Sequence, residues 1–381
     1  MLALADWLRS WQVPAVVMEA TGDYWKGPCC RLEAEGPECV LADARQVRHL
    51  PGRPKRDPAD SRWLAACFER GAIRSCFVAT PEFRVIRLHT RCRRDLTEER
   101  TREKQRAEKL LESAALKLSP ALTDLHGVTG RDIMNHLIAG ERDPKVLARL
   151  ARGKARRKIS ELAAALDGAE FFTAGHAALL AAMLARADRV SEEIARLTGV
   201  IERLLAPYEE QLTPAGSMPG WARRAARDAL AETGPDMTRF PAGGHLASRA
   251  GRTPPDSESG KRTGRAKSRK GNRYLGTIPG ETAVAAGRTQ TREGARCRRL
   301  ARRRGKARAR VAVGNTQLNV YHKLLSSPGT RYEDLGPDYH DRRAGIRRQV
   351  ARHVGKPGAL GFEVTLCRIP EPGEAGTTQV A

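Results

Sequence analysis

The stretch PAVVMEATGDYWKGPCCRLEAEGPECVLAD, residues 14–43, decides the fold at the start of this chain. It contains two short apolar runs, PAVVMEA (14–20) and ECVLAD (38–43), with the length and composition of buried strands. Residues 24–35 between them predict a helix. A strand, a helix and a second strand at this spacing form a parallel α/β unit with a right-handed crossover. We therefore expect a parallel sheet near the N-terminus.

Helical segments flank this unit. Residues 1–11 and 58–70 predict helices, and a helical pattern runs from Pro81 to about Pro207. Dense alternating charges over 82–118 are typical of a long helix exposed to solvent. The fold class that we expect is α/β plus mostly α. The expected domains are 1–80 (α/β), 81–207 (a helical arm), 208–340 (basic and mainly helical) and 341–381 (a basic, loosely ordered tail).

A heptad pattern marks the segment 173–206. Apolar side chains recur there at alternating steps of four and three residues, the spacing of an a/d seam. The residues are Met183, Ala187, Val190, Ile194, Leu197, Ile201 and Leu204. A coiled-coil arm accounts for this pattern, and so does one helix of an intramolecular bundle. An antiparallel hairpin across a smaller helical insertion at 129–165 is a further arrangement that the sequence leaves open.

The chain is strongly basic. Its 381 residues include 68 Lys and Arg against 44 Asp and Glu, which gives a formal net charge of +24. Such a charge indicates a polyanionic partner and argues against an enzyme of small neutral metabolites. Two thirds of the excess lies between Arg249 and Arg310, where 20 Lys and Arg accompany four Asp and Glu. Aromatic residues make up 5%, so base stacking is not the expected main mode of binding.

The sequence also predicts a cellular compartment. No apolar run reaches the ~18–20 residues that cross a bilayer, so we expect no membrane partner. The eight cysteines lack C-x-x-C spacing and form no zinc-finger pattern with histidines. Reduced thiols in a cytoplasmic protein fit this usage.

Three acidic residues are candidates for a metal site. Glu19 ends the first predicted strand, at the edge of a parallel sheet where α/β sites are built. Asp57 and Asp60 lie three residues apart at the start of a predicted helix and can share a face. Three converging carboxylates suit Mg²⁺, which prefers oxygen ligands. The alternative is local: Asp57 as the helix N-cap, Pro58 as the first helical residue, and Glu19 paired with a nearby arginine.

A basic loop, PPDSESGKRTGRAKSRKGNRYL (254–275), holds two serines. Ser257 and Ser259 are candidate nucleophiles if a neighbouring group activates them, and otherwise they are spacers in a flexible basic loop. A second basic run, RRLARRRGKARARVAV (298–313), predicts a helix whose cations face a nucleic acid or solvent. Cations that outnumber their acidic neighbours are expected to contact phosphates.

These motifs occur in a characteristic order. MEATGDYW, LPGRPKRDPADSRWLA, LTEERTREKQRAEKLLESAALKL and FPAGGHLASRAGRTPPDSESGKRTGRAKSRKGNRYL follow one another, and ARRRGKARARVAV, YHKLL and TRYEDLG come later. Together they resemble the DEDD-type insertion-sequence transposases, which are relatives of the Piv-type DNA invertases. The likeness runs from Met1 to about Arg343.

The resemblance implies a fold and a chemistry. It implies an RNase H-like domain of the RuvC type with four acidic residues, a coiled-coil arm, and a basic C-terminal transposase domain with a serine. In such proteins the acids bind Mg²⁺ or Mn²⁺, and the serine attacks a DNA phosphate to form a covalent intermediate. The implied partners are the ends and target of the insertion sequence, further copies of the chain, and in some members a guide RNA, on bacterial nucleoid DNA.

The resemblance also assigns residues. Glu19 matches the second acid, Asp57 and Asp60 match the third and fourth, and Ser259 matches the serine, with Ser257 as the second choice. The expected nucleic-acid contacts are Lys261, Arg262, Arg265, Lys267, Arg269, Lys270, Arg273, Arg302, Arg303 and Arg304.

The chain departs from the family pattern at its start. The first acid of the family lies in a D-x-H-K-like motif, and no such motif occurs here. This favours the hypothesis of a truncated RNase H-like domain in a remnant or mis-started transposase, inactive through loss of that acid. Two other functions are open: a RuvC-like junction nuclease that uses water, and a basic nucleic-acid-binding remnant without catalysis.

Overall fold

The computed structural model describes residues 2–54, 56–253, 258–259, 262–263, 268, 270–343, 350, 354 and 361–363, with the backbone alone for 258–259, 262–263 and 341. The chain divides into two compact units. Unit 1 comprises Met1–Glu209 and Arg227–Arg239, and unit 2 comprises Glu210–Ala226 and Phe240–Ala381.

Unit 1 begins with the expected α/β arrangement. The elements are α1 (Leu2–Ser10), β1 (Ala15–Glu19), α2 (Lys26–Glu35) and β2 (Glu38–Ala42). The strands β1 and β2 are parallel, with Ala15 opposite Glu38 and Glu19 opposite Ala42. Ala5, Leu8 and Leu32 form the core between the helices and the sheet. The predicted strand–helix–strand unit is therefore confirmed.

Two helices follow the sheet, α3 (Ala44–His49) and α4 (Asp57–Glu69). Val47 and Ile73 are buried against Ala42 of β2. Helix α4 begins one residue earlier than the N-cap alternative requires. The N-cap is Arg56, whose backbone is extended, and no side chain caps the helix. The interpretation of Asp57 as an N-cap is therefore wrong, because Asp57 already lies within the first helical turn.

The remainder of unit 1 is mostly helical. Its helices are α5 (Pro81–Ser113), α6 (Val128–Ile138), α7 (Pro144–Arg149), α8 (Ile159–Ala165) and α9 (Ala174–Leu205). The start of α5 lies beside the end of α9, where the ring centroids of Phe83 and Tyr208 are 5.0 Å apart. Further along, Arg186 and Glu103 form a 3.2 Å salt bridge. The two long helices are therefore antiparallel.

Three of the seven heptad residues of α9 are buried within the chain, and the other four are half-buried. Ala187, Leu197 and Ile201 are buried, and α5 is the element that packs most extensively along α9. This is the antiparallel hairpin that the sequence left open, and a coiled coil between subunits stays a prediction. The small helices α6–α8 form the connection between its arms, with Ile133, Leu147 and other apolar side chains in a common core.

Unit 2 contains the remaining helices and one short ladder. Its elements are α10 (Glu209–Gly216), α11 (Arg223–Thr233), α12 (Gly243–Arg249), β3 (Glu258–Ser259), β4 (Arg262–Thr263), α13 (Arg273–Ala286), α14 (Arg292–Arg304), α15 (Lys306–Ser326) and α16 (Tyr339–Arg343). The first residue of α10 and the second part of α11 belong to unit 1. Helix α15 packs on α12, α13 and α14.

The bend at Pro219 and Gly220 is packed into unit 2. Gly220 has a φ of 77°, and a Cβ atom there would lie 2.3 Å from the carbonyl oxygen of Thr282. The amide of Gln317 donates a 3.0 Å hydrogen bond to the carbonyl of Pro219. This close approach to α13 requires glycine.

None of the helices in the described ranges combines the length and hydrophobicity of a bilayer crossing.

Candidate active site and nucleic-acid interface

Glu19 lies at the carboxyl end of the parallel sheet. It is the last residue of β1, and the amide of the following residue, Ala20, still donates to the carbonyl of Ala42. Its side chain is 25% exposed. The Thr21 hydroxyl donates to Glu19 Oε1 at 3.2 Å. The strand thus places a half-buried carboxylate at the sheet edge where α/β sites form.

Asp60 reaches the same place from α4, which packs against β1. Arg53 joins the two acids. Its Nη2 atom donates to Glu19 Oε2 and to Asp60 Oδ2, both at 2.8 Å, and its Nε atom donates to Asp60 Oδ1 at 2.9 Å. Because Nη2 lies 2.8 Å from both Glu19 Oε2 and Asp60 Oδ2, these two oxygens lie no further apart than twice 2.8 Å.

A tight turn positions Arg53. Pro51 and Gly52 precede it, and Gly52 has a φ of 75°. Proline followed by glycine with positive φ is the signature of a type II turn. The turn leads from α3 to α4 and leaves Arg53 between the sheet edge and the first turn of α4.

The guanidinium of Arg53 is firmly charged. Hydrogen bonding to Asp60, and then to Glu19, raises the pKa of Arg53. The fork of a guanidinium bound to both oxygens of one carboxylate is among the stronger polar contacts in proteins. Arg53 therefore holds Asp60 and Glu19 in a defined arrangement.

Asp57 differs from the other two acids. It opens α4, is exposed, and takes no part in the hydrogen bonds of Arg53. The structure brings Glu19 and Asp60 together and leaves Asp57 outside their shared network.

The donor set of the pair suits a metal ion only in part. Carboxylate oxygens are the right type for Mg²⁺ or Mn²⁺. However, Arg53 binds three of the four carboxylate oxygens of the pair, and Thr21 binds the fourth. Within the described ranges, no group of three or more His, Cys, Asp and Glu could hold a metal ion. The pair as folded is not a metal site, and the three-carboxylate site stays a prediction.

The candidate serine lies in unit 2. Ser259 is in β3, and its backbone pairs with Arg262 of the antiparallel strand β4. Ser257 lies outside the described residues, and so do the expected DNA contacts Lys261, Arg265, Lys267 and Arg269. For Ser259 and Arg262 the structure describes the backbone but not the side chains. Lys270 precedes α13 and Arg273 is the first residue of that helix; both are exposed.

A cationic surface forms where α14 meets α15. The two helices are joined at Gly305, whose φ is 85°. The exposed cations around this junction, called the basic corner below, are Arg299, Arg302, Arg303, Arg304, Lys306, Arg308 and Arg310. None of them has a salt bridge in the part of the chain that the structure describes. Unpaired cations at this density are suited to bind phosphates.

The other end of α14 is anchored in unit 2. Glu293 is 2% exposed and accepts hydrogen bonds from Arg292 and from the Tyr332 hydroxyl at 3.1 and 2.7 Å. Burial, and then the bond to Glu293, raises the pKa of Tyr332. A Cβ atom on Gly294 would lie 2.1 Å from the carbonyl of Thr289, so the helix begins in close contact with its neighbour. Helix α14 is thus buried at its N-terminal end and exposes the arginines at its C-terminal end.

Two family models match the chain. A DEDD transposase model of IS110 elements, described as a transposase, matches residues 1–115, and a model of the IS116/IS110/IS902 transposase family matches residues 214–298. Together they cover more than half of the chain. The chain belongs to the IS110 family of insertion-sequence transposases. A comparison with curated proteins finds no match.

The matched ranges of this transposase contain most of the candidate residues. Glu19, Asp57 and Asp60 lie in the first range, and Ser259 lies in the second. The DEDD type suggests dependence on a divalent metal, and a transposase acts on DNA. The arginines of the basic corner, from Arg299 on, follow the second range.

Sequence reasoning did not name every residue of these two surfaces. Arg53 was not named as a candidate, although PGR ahead of the paired aspartates placed a turn and a cation beside them. In the basic corner, Arg299, Lys306, Arg308 and Arg310 lie in the predicted basic run 298–313 but were not named among the expected contacts. Their signal was the same arginine-rich run that identified Arg302, Arg303 and Arg304.

Proposed function

We propose that this transposase cuts and rejoins the DNA of its insertion sequence, with Glu19, Asp57 and Asp60 as its acidic residues and Ser259 as its nucleophile. The observation that carries the proposal is the convergence of Glu19 and Asp60 at the carboxyl end of the parallel sheet, inside the range of the DEDD match. These residues lie 41 positions apart in the sequence and come from different elements.

The position of the acids favours a site over a structural ion pair. In parallel α/β sheets, ligands bind outside the carboxyl ends of the strands. A strand-end carboxylate and a first-turn aspartate that meet there are suitably placed for chemistry on a phosphate. The RuvC-type fold belongs to the same proposal, and the parallel strands with their crossover helix support it.

The basic corner supports DNA binding. Each phosphate that a cation neutralises releases counterions, and this is the main sequence-independent source of affinity for nucleic acids. Arg262, Lys261, Arg265, Lys267, Arg269, Lys270 and Arg273 extend the proposed contacts, as Arg302, Arg303 and Arg304 do within the corner. A guide RNA and assembly of several copies on cytoplasmic DNA belong to the proposal as well.

The proposed chemistry gives the serine a defined role. The Ser259 oxygen forms a bond to a DNA phosphorus, the bond from that phosphorus to a DNA oxygen breaks, and the departing oxygen takes a proton. The covalent serine–DNA ester is then attacked by a DNA hydroxyl, which rejoins the strands and frees the serine.

Transposition in cells tests the proposal. We expect Glu19→Gln and Asp60→Asn to reduce transposition of the element at least 100-fold. Glu38→Gln is the matched control, because Glu38 is an exposed carboxylate at the opposite end of the same sheet. Full activity of both acid variants would reject the proposal. Strand cleavage that survives Ser259→Ala would instead favour the junction nuclease, and DNA binding without any cleavage would favour the non-catalytic remnant.

A further inference from the structure

The cation that occupies the Glu19–Asp60 pair is part of the chain itself. A DEDD transposase is expected to place a divalent ion between such acids, whereas the structure places the guanidinium of Arg53 there. We infer that Arg53 is the resident cation of this pair, that it keeps the two carboxylates together without metal, and that it must release Glu19 before a divalent ion binds. The inference rests on the proposed function only in taking the pair as the acidic site of the transposase.

All four carboxylate oxygens of the pair already accept hydrogen bonds. Asp60 gives both of its oxygens to Arg53, and Glu19 gives one to Arg53 and the other to Thr21. A divalent ion binds through direct contacts to such oxygens. Each oxygen keeps a further lone pair, but the guanidinium bridges the two carboxylates and repels a second cation there. Binding of an ion between Glu19 and Asp60 therefore requires Arg53 to withdraw.

The position of Arg53 is built into the fold. The Pro51–Gly52 turn, with its positive φ, delivers Arg53 to the pair. Its side chain is 30% exposed, beside carboxylates that are 25% and 27% exposed. The neighbouring Arg56 is exposed and makes no salt bridge within the described residues. One particular arginine of this basic loop is therefore committed to the acids.

The charge of Arg53 opposes the entry of a further cation at the pair. Glu19 and Asp60 are like charges held close together, and Arg53 offsets their repulsion. Without a cation the two carboxylates repel each other, and a divalent ion that enters relieves this repulsion. With Arg53 in place, the incoming ion is instead repelled by the guanidinium. Removal of Arg53 should therefore strengthen metal binding.

Calorimetric titration of Mn²⁺ into the full-length chain tests the inference. We expect Arg53→Gln to bind Mn²⁺ roughly tenfold more tightly than the wild type, because the competing charge is gone. The gain should disappear in the double variant Arg53→Gln/Glu19→Gln, which shows that the ion is bound by the pair. Equal or weaker binding by a folded Arg53→Gln, as judged by circular dichroism, would overturn the inference.

Two further variants keep the test decisive. Arg56→Gln removes one exposed arginine from the same loop and should leave Mn²⁺ affinity unchanged. An equal gain there would overturn the inference, because it would mark a general charge effect. If Arg53→Gln does not fold, Arg53→Met serves instead, because it also removes the charge and keeps an unbranched side chain of similar reach. We expect a comparable gain, and equal or weaker binding by the folded variant would overturn the inference.

The metal titration is independent of the proposed function. It measures neither DNA binding nor transposition. If Glu19→Gln and Asp60→Asn both transpose normally, the proposed function fails, while the competition between Arg53 and Mn²⁺ is still decided by the titration.

Discussion

Removal of three arginines from the basic corner should change the salt dependence of DNA binding by a calculable amount. Arg302, Arg303 and Arg304 are exposed at the end of α14 and have no salt bridge within the described ranges. If each neutralises one phosphate, the plot of log binding constant against log salt loses about 0.9 in slope per residue. The triple alanine variant should therefore have a slope less steep by about 2.7.

The loss of three phosphate contacts also predicts how much the DNA affinity falls. At 0.15 M salt, three lost phosphate contacts correspond to roughly 100-fold weaker binding. Fluorescence anisotropy on a duplex from the end of the insertion sequence, repeated at several salt concentrations, measures both quantities.

A matched control separates a local contact from general charge. Arg156, Arg157 and Lys158 form an exposed cationic run in unit 1, and their alanine variant loses the same three charges. We expect its slope to stay close to that of the wild type. An unchanged slope in the basic-corner variant, or an equal change in the control, would refute the assignment of the basic corner as a DNA contact.

Three further predictions concern stability and reactivity. Glu232→Gln should lower the free energy of unfolding, measured in urea, by about 3 kcal/mol. The reason is that the buried Glu232 carboxylate accepts hydrogen bonds from Nε and Nη2 of Arg91 at 2.7 and 2.8 Å. A loss below about 1 kcal/mol would contradict this. Gly220→Ala should destabilise more than Gly71→Ala in thermal unfolding, since both have positive φ but only Gly220 has a backbone atom within 3 Å of the added Cβ; equal effects would argue against the packed bend. Burial, with a further effect of nearby carboxylate charge, raises the pKa of Cys29 to about 12. This thiol should therefore resist alkylation at pH 8.5 while exposed cysteines react. Fast alkylation of Cys29, detected by mass spectrometry, would show that the thiol is accessible.

Local patterns predicted much of the fold. The apolar runs that end at Glu19 and begin at Glu38 gave two parallel strands, because their length and composition suit a buried sheet. The start of α5 at Pro81 followed from a proline that suits the first helical turn. These features depend on neighbouring residues and are visible in a single sequence.

The contacts between distant parts of the chain could not be predicted from the sequence. The heptad residues of α9 specify an apolar face but not its partner, which turned out to be α5 in the same chain. Likewise, Arg227–Arg239 joins unit 1, where Glu232 is buried against Arg91, although the surrounding residues belong to unit 2. A charged residue in a basic, helical sequence does not reveal a partner more than a hundred positions away.

The candidate site was predicted in part. Glu19 and Asp60 were named as candidates because of their places at a strand end and a helix start, and the structure brings them together. Asp57 was grouped with them by its spacing, yet its side chain faces solvent outside their network. The alternative that paired Glu19 with a nearby arginine is confirmed by its bond to Arg53. Spacing could not tell which cation of the basic loop turns toward the acids.

Covalent trapping of DNA tests the central claim most directly. Full-length wild-type protein is incubated with end-labelled DNA from the insertion sequence, and denaturing electrophoresis then detects any DNA that remains attached to protein. We predict a labelled adduct with the wild type that is lost in Ser259→Ala and in Glu19→Gln, but kept in Glu38→Gln. DNA cleaved without an adduct, or an adduct that persists in Ser259→Ala, would contradict the account.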